Sequence, residues 1–416
     1  MSPSIIFLVQ VFVVVVLPLA VLRVSGLKGL VPLVVVQILV GIALGPSLFG
    51  WLAPNYYETF FNSQALSQLS GIASVAVLIF ALITGLHLEP ATFRGHSRAF
   101  LFVATASVSL PTALGFLVGL WIAVYRPEQV DIRINAIQFA EAIGICIGVT
   151  ALPVLGAILY EMNLLGQRIG KLALGIAAFN DGALWILLGL LLTDVSGRAP
   201  EGPGMLASLL IVPVYLAGMV VFVRPLLRRT IKSRMKNGEI NTSALAIVCA
   251  VTIGSALVTQ TLGLHYILGA FVTGVTMPEE LRKPILDRIE LMTISLLMPF
   301  FFLLTGLRTL IDFHASIFME VLIIATTVAV VGKVGGTALA ARLVGEPWPI
   351  ALGLGALLQS KGLMELIVLT ILLDAGIISV NVFSALVLMA VATTALAQPF
   401  ARLMLAQEAR VPAQVP

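Results

Sequence analysis

Gly170-KLALGIAAFNDGALWILLGLLL-Thr193 is an apolar run long enough to cross a membrane, which takes about 20 residues. Asn180 and Asp181 lie in the middle of it. A carboxylate at mid-bilayer costs roughly 2.5–3.5 kcal/mol on insertion scales. No general packing benefit offsets that cost. An intramembrane acid therefore points to function, usually the movement of ions or protons.

The composition around this pair is that of a polytopic membrane protein. Hydrophobic residues make up 59% of the chain and charged residues 11%, and the mean hydropathy is +1.09. Soluble domains carry about 25% charged residues, so a water-exposed surface cannot be built here. The net charge of +4 does not indicate nucleic acid, because the basic residues fall at membrane boundaries. Cys146 and Cys249 lie in apolar segments and form neither a disulfide framework nor a metal-ligand spacing. The first apolar segment lacks a basic leader and reads as an uncleaved spanning helix. No soluble regulatory domain is expected after the last span.

Thirteen candidate spans follow, near residues 4–22, 29–50, 66–86, 98–124, 136–160, 169–193, 204–227, 242–261, 264–278, 288–311, 316–341, 348–374 and 378–404. The loops are short, so they form one all-α membrane domain. Basic residues cluster in alternate loops: Arg23 and Lys28, Arg94 and Arg98, Arg168 and Lys171, Arg224 to Lys236, Arg282, Lys283 and Arg288, Arg342, and Arg402 and Arg410. The opposite loops hold only Arg126, Arg133, Arg198 and Arg308. By the positive-inside rule the N-terminus lies outside and the C-terminus in the cytoplasm. The expected location is the inner (plasma) membrane.

Two segments echo each other. The third span ends Phe80-ALITGL-His87 and the tenth ends Phe301-FLLTGL-Arg308. Val40-GIALG-Pro46 in the second loosely matches Ala270-FVTG-Val275 in the ninth. An offset of seven spans inverts one copy relative to the other. Small-residue strings also recur by chance in Gly-rich membrane helices, but the shared order favours inverted repeats. Transporters built this way place their site near the midplane at interrupted helices. The fifth span, Glu141-AIGICIGVTALPVLGAIL-Tyr160, contains Pro153, which removes a backbone donor and clashes with the preceding turn. A break near Thr150-Ala151-Leu152 is expected, with an ordinary proline kink as the alternative. Its repeat partner, the twelfth span, has a weak point at Gln359-SKG-Leu363. Non-helical backbone at this depth must line a polar cavity or be buried in protein. Two such breaks would cross beside Asp181.

Five ionisable residues read as lying inside spans: Glu141, Asp181, Lys333, Lys361 and Glu365. Lys333, in Val328-AVVGKVGG-Thr337, needs a partner, and Asp181 or the Asn180 side chain is the expected one. Gly332, Gly335 and Gly336 allow close helix approach. Lys361 and Glu365 are i,i+4 neighbours that can pair along one face, beside Ser360, in a structural or a functional role. Glu141 either hydrogen-bonds to the twelfth span or lines an outer funnel. A buried carboxylate such as Asp181 holds either a proton or a bare monovalent cation, not both. Asp181, Thr150 and freed carbonyls supply oxygen ligands for that cation. Asn180 adds an amide where a second acid could titrate, which suggests one-for-one exchange.

The strings Thr150-ALPVLGAIL-Tyr160, Ala178-FNDGALWILL-Gly189, Phe300-FFLLTGLRT-Leu310, Gly332-KVGGT-Ala338 and Lys361-GLMELIVL-Thr370 resemble the monovalent cation/proton antiporter superfamily. The likeness is closest to its second family, with the plant-type cation/H+ exchangers and their bacterial sodium- or potassium-linked relatives. The resemblance covers nearly the whole chain. It implies a sodium/proton antiporter-like fold with two crossing broken helices, at Thr150–Pro153 in one of them. It gives Asp181 the cation and the proton, and Lys333 a core-stabilising role. It further implies a homodimer in which residues 1–93 and 204–311 form a scaffold and 94–203 and 312–405 a mobile core. Adjacent acids mark electrogenic members, and Asn180 departs from that pattern. Lys333, which electroneutral relatives often replace with Arg, points the other way, so stoichiometry stays open, as does K+ against Na+.

The expected function is thus exchange of K+ or Na+ for H+ across the bilayer, without a cofactor. A gated cation channel would use the same buried centre but need a continuous pore. A membrane-embedded enzyme is disfavoured, because His87, His96, His265 and His314 all lie at loop or span ends without metal-binding spacing. Transport of an organic solute is disfavoured by so small an acid-centred site.

Overall fold

Long apolar helices dominate the architecture because an apolar run inside a bilayer must satisfy its backbone internally. The computed structural model describes residues 3–26, 32–87, 98–164, 167–197, 213–232, 240–262, 265–311 and 316–408. Lys28, Arg94, His96, Arg198, Arg234, Lys236, His314, Arg410 and the start of the 204–227 span lie outside them.

The first half holds α1 (Pro3–Val24), α2 (Leu33–Leu44), the short α3 (Phe49–Leu52) and α4 (Pro54–Phe60), α5 (Ser63–His87) and α6 (Arg98–Tyr125). The interrupted pair α7 (Ala136–Gly148) and α8 (Leu152–Glu161) follows, then α9 (Arg168–Gly197). Next come α10 (Arg224–Lys232), α11 (Thr242–Thr261), α12 (Tyr266–Thr276), α13 (Glu279–Met292) and α14 (Met298–Arg308). The last part holds α15 (Ser316–Val330), α16 (Gly336–Leu343), a second interrupted pair α17 (Trp348–Leu358) and α18 (Gly362–Asp374), and α19 (Val380–Glu408). Among the described residues, nine helices are long and apolar enough to span, and α7, α12 and α17 are shorter apolar helices.

Both expected breaks are present. Asn135 and Gln138 form a reciprocal cap that starts α7. The chain then leaves helical geometry over residues 149–151, and α8 begins with Leu152 and Pro153 in its first turn. Proline is tolerated there because those amides have no intrahelical partner. Residues 359–361 interrupt the twelfth segment in the same way, and Gly362 adopts φ +47°. The tenth segment extends further back than expected: a helix runs from Glu279 to Arg308 and includes Arg282 and Lys283. Buried Arg282 donates to Leu86 O, Val275 O and Met277 O, joining the ends of α5 and α12.

The chain divides into two compact units, one of residues Met1–Ser67, Gly95–Leu184 and Phe302–Pro416, the other of Gln68–Arg94 and Trp185–Phe301. One packing device occurs in each. In the second unit Gly85 lies against Phe271 and Gly274, so close that a Cβ would overlap backbone. In the first unit Gly306 lies equally close to Ile38 and Gly41. These are the glycines of the two TGL strings, each packed on the segment that its repeat partner implies. The paired contact supports the inverted repeat on geometric grounds.

Candidate functional site

The two breaks are stitched directly together. Ala151 N–H donates to Ser360 O at 2.7 Å, and Thr150 Oγ1 donates to Leu358 O at 2.9 Å. Each break thus satisfies a backbone group that the other left open, which is the condition for keeping irregular backbone in an apolar interior. Thr394 Oγ1 accepts from the amides of Lys361 and Gly362 at the start of α18. Ser360 Oγ turns back to Leu357 O at 2.9 Å.

The remaining problem is the C-terminal end of α7, whose last carbonyls carry the negative end of the helix dipole. Two buried lysines meet it. Lys333 Nζ donates to Gly148 O at 2.5 Å and to Ser107 O at 2.9 Å. Lys361 Nζ donates to Ile147 O at 2.7 Å and Cys146 O at 3.0 Å. Lys333 sits in a π-helical turn, Val331–Gly335, inserted between α15 and α16. Gly332 and Gly336 in this stretch pack on Pro111 and Leu110 of α6, whereas Gly335 faces open space.

The expected partner of Lys333 is therefore corrected. Its hydrogen bonds go to backbone carbonyls, not to Asp181 or Asn180. The expected Lys361–Glu365 pair is present: Nζ and Oε2 are 3.6 Å apart, and both side chains are fully buried. Glu141 lies in the second turn of α7 with an exposed side chain. Helical rotation sets that outcome, since the buried face of α7 carries Ala140, Ile143 and Ile147.

Asn180 is held from both sides. Its Nδ2 donates to Thr150 Oγ1 at 3.1 Å, and its Oδ1 accepts from Ser107 Oγ at 3.1 Å. Asp181 is treated oppositely. It is 1% exposed, yet neither carboxylate oxygen has a hydrogen-bond partner. The Leu152 amide faces it from the start of α8 without closing a hydrogen bond. A helix N-terminus favours negative charge, so this end of α8 suits an anion. Asn180 is thus tied to its neighbours, whereas both Asp181 oxygens stay unpartnered.

Ser107 was not among the residues marked from sequence. It joins Lys333 and Asn180 into one network. A small hydroxyl in a helix that also carries Thr105, Ser109 and Thr112 gives no distinguishing signal. Of the histidines, His87 pairs with Glu290 at 2.9 Å, and His265 caps α12.

Residues 11–405 match the family described as sodium/hydrogen exchanger, transmembrane. The chain is 33% identical over 380 residues to Cation/H(+) antiporter 19 of Arabidopsis thaliana, covering 89% of this chain and 46% of that protein. It therefore spans about half the length of this plant relative. It is 28% identical to the Na(+)/H(+) antiporter NhaS4 of Synechocystis sp., covering 88% of this chain and 90% of that one. Its fold is similar to that of the sodium proton antiporter MjNhaP1 from Methanocaldococcus jannaschii, with a TM-score of 0.62 at 14% identity over 99% of this chain and 100% of that one.

Proposed function

The chain belongs to the sodium/hydrogen exchanger family, and on that premise we propose that it exchanges a monovalent cation, K+ or Na+, for protons by alternating access. The observation that carries this reading is Asp181: a fully buried carboxylate with both oxygens unpartnered, one helix away from two stitched breaks. Burying a charge without a partner is unfavourable. Such a carboxylate is stable when it holds a proton or when it ligates a cation, and the two states exclude each other. That competition couples one flux to the other.

In the cation-bound state Asp181 supplies the charge, and the side-chain oxygens of Thr150 and Asn180 supply neutral ligands. Small hard cations take such oxygen donors. In the proton-bound state the same group is neutral and crosses the apolar interior at lower cost. Asn180 cannot titrate, and Lys333 is engaged with carbonyls. Both support one proton per cation. Residues 94–203 and 312–405 act as the moving core, with 1–93 and 204–311 as the scaffold of a homodimer. Its N-terminus lies outside and its C-terminus in the cytoplasm of the inner (plasma) membrane.

The test is purified protein in liposomes with a trapped pH dye, challenged with each alkali cation in turn. A cation gradient should drive proton movement, and a proton gradient should drive cation movement. A cation flux indifferent to the proton gradient would instead identify a channel.

A further inference from the structure

Ser107 of α6 is fully buried and serves two contacts with different atoms. Its carbonyl is left open because Pro111, four residues on, has no amide to donate. Lys333 Nζ takes that carbonyl at 2.9 Å. Its hydroxyl has one proton and two acceptors within reach, Ala104 O at 2.8 Å and Asn180 Oδ1 at 3.1 Å. The two acceptors are not equivalent. Ala104 O already belongs to the helical ladder of α6, whereas Asn180 Oδ1 is a side-chain oxygen that takes its donor from Ser107.

The other end of the Asn180 amide is fixed. Thr150 Oγ1 gives its single proton to Leu358 O, so toward Asn180 it can only accept. That requirement turns Nδ2 to Thr150 and Oδ1 to Ser107. A cation that draws on Asn180 must therefore use the oxygen that Ser107 already holds. We infer, on the exchange reading above, that Ser107 is a positioning residue for the transported cation. Its hydroxyl holds Asn180 Oδ1 while the site is free of cation, and turns to Ala104 O when a cation takes that oxygen. The turn costs little, because one acceptor replaces another. It leaves Lys333 on the Ser107 carbonyl and Thr150 on Leu358 O, so the stitched crossing is the same in both states. The hydroxyl thus competes with the cation, which weakens binding and eases release.

The experiment measures the cation KM and the maximal rate of exchange in liposomes at one alkaline pH, with Na+ and K+ in turn. Ser107→Ala removes the hydroxyl and keeps the carbonyl that Lys333 uses. Its cation KM should fall about two- to tenfold, the worth of one neutral hydrogen bond that the cation no longer displaces. The maximal rate should be equal or lower. Ser107→Cys, a weaker donor, should give a KM between the two, and it decides alone if the Ala variant does not fold. Ser109→Ala removes an exposed hydroxyl from the same helix and should leave KM at the parental value. An unchanged KM in the Ser107 variants would reduce Ser107 to packing, and a raised KM would make its oxygen a ligand. Either result overturns the inference while exchange by the parent protein stands. No exchange by the parent with either cation would overturn the transport reading and this inference together.

Discussion

Asn180 Nδ2 donates to Thr150 Oγ1, and Thr150 Oγ1 donates onward to Leu358 O. One hydroxyl therefore links α9 to both broken helices. Thr150→Val keeps the shape but strands the Asn180 amide and the Leu358 carbonyl. An unsatisfied buried polar group costs about 1–3 kcal/mol. The variant should melt well below the parent in detergent, and Thr150→Ser should restore most of the loss. A parent-like melting temperature for Thr150→Val would remove the bridge from the stability argument.

Asp181→Asn should behave in the opposite way. Both carboxylate oxygens lack a hydrogen-bond partner, so little structural contact is lost and a buried charge disappears. Thermal stability should hold or rise, while cation-driven proton movement in liposomes should fall to background. A variant that still exchanged at the parental rate would exclude Asp181 as the carrier.

Lys333 and Lys361 support three consecutive carbonyls at the end of α7. Hydrogen bonds to charged groups contribute about 1.5–3 kcal/mol. Lys333→Gln should therefore lose stability on that order, with little change in which cation is exchanged. Combining it with a Lys361 substitution should cost less than the sum, because both serve one helix end. Strict additivity, measured by thermal unfolding of the two single variants and the double variant, would show that the lysines act independently.

These contacts mark how far the sequence can be read. Asn180-Asp181 and Pro153 stand out because their chemistry is rare in apolar helices. The TGL strings stand out because close helix approach admits only glycine at Gly85 and Gly306. The acceptors of Lys333 do not stand out, since every residue carries a carbonyl and only folding selects Ser107 and Gly148. Nor does the π-turn that carries Lys333. The exposure of Glu141 does not stand out either, because span membership does not fix rotation about the helix axis. Ser107 gains meaning only from what surrounds it.

The loop before α7 holds an exposed pair with a definite pH signature. Hydrogen bonding to Arg133 lowers the Asp131 pKa to about 2. A depressed carboxyl contributes stability that is present above its unfolded value and is lost as pH falls through the folded one. Asp131 therefore stays ionised across roughly pH 5 to 9. Asp131→Asn should leave the pH profile of exchange unchanged over that range. A shifted profile would place this loop in proton coupling.

The repeat makes a paired prediction. Gly85→Ala and Gly306→Ala each add a Cβ that collides with backbone, of Phe271 in one case and Ile38 in the other. Backbone on a packed helix cannot yield as a side-chain tip can, and overpacking costs about 1–3 kcal/mol. Both variants should lose stability by similar amounts, since the two sites are copies of one contact. Gly254 is helical with open space around its Cβ position, so Gly254→Ala should be neutral or stabilising by up to about 1 kcal/mol. Melting curves of the three variants decide the matter. If Gly85→Ala and Gly306→Ala diverged widely, the TGL strings would be a coincidence of composition, and the twofold reading of the crossing at Thr150 and Ser360 would lose its second support.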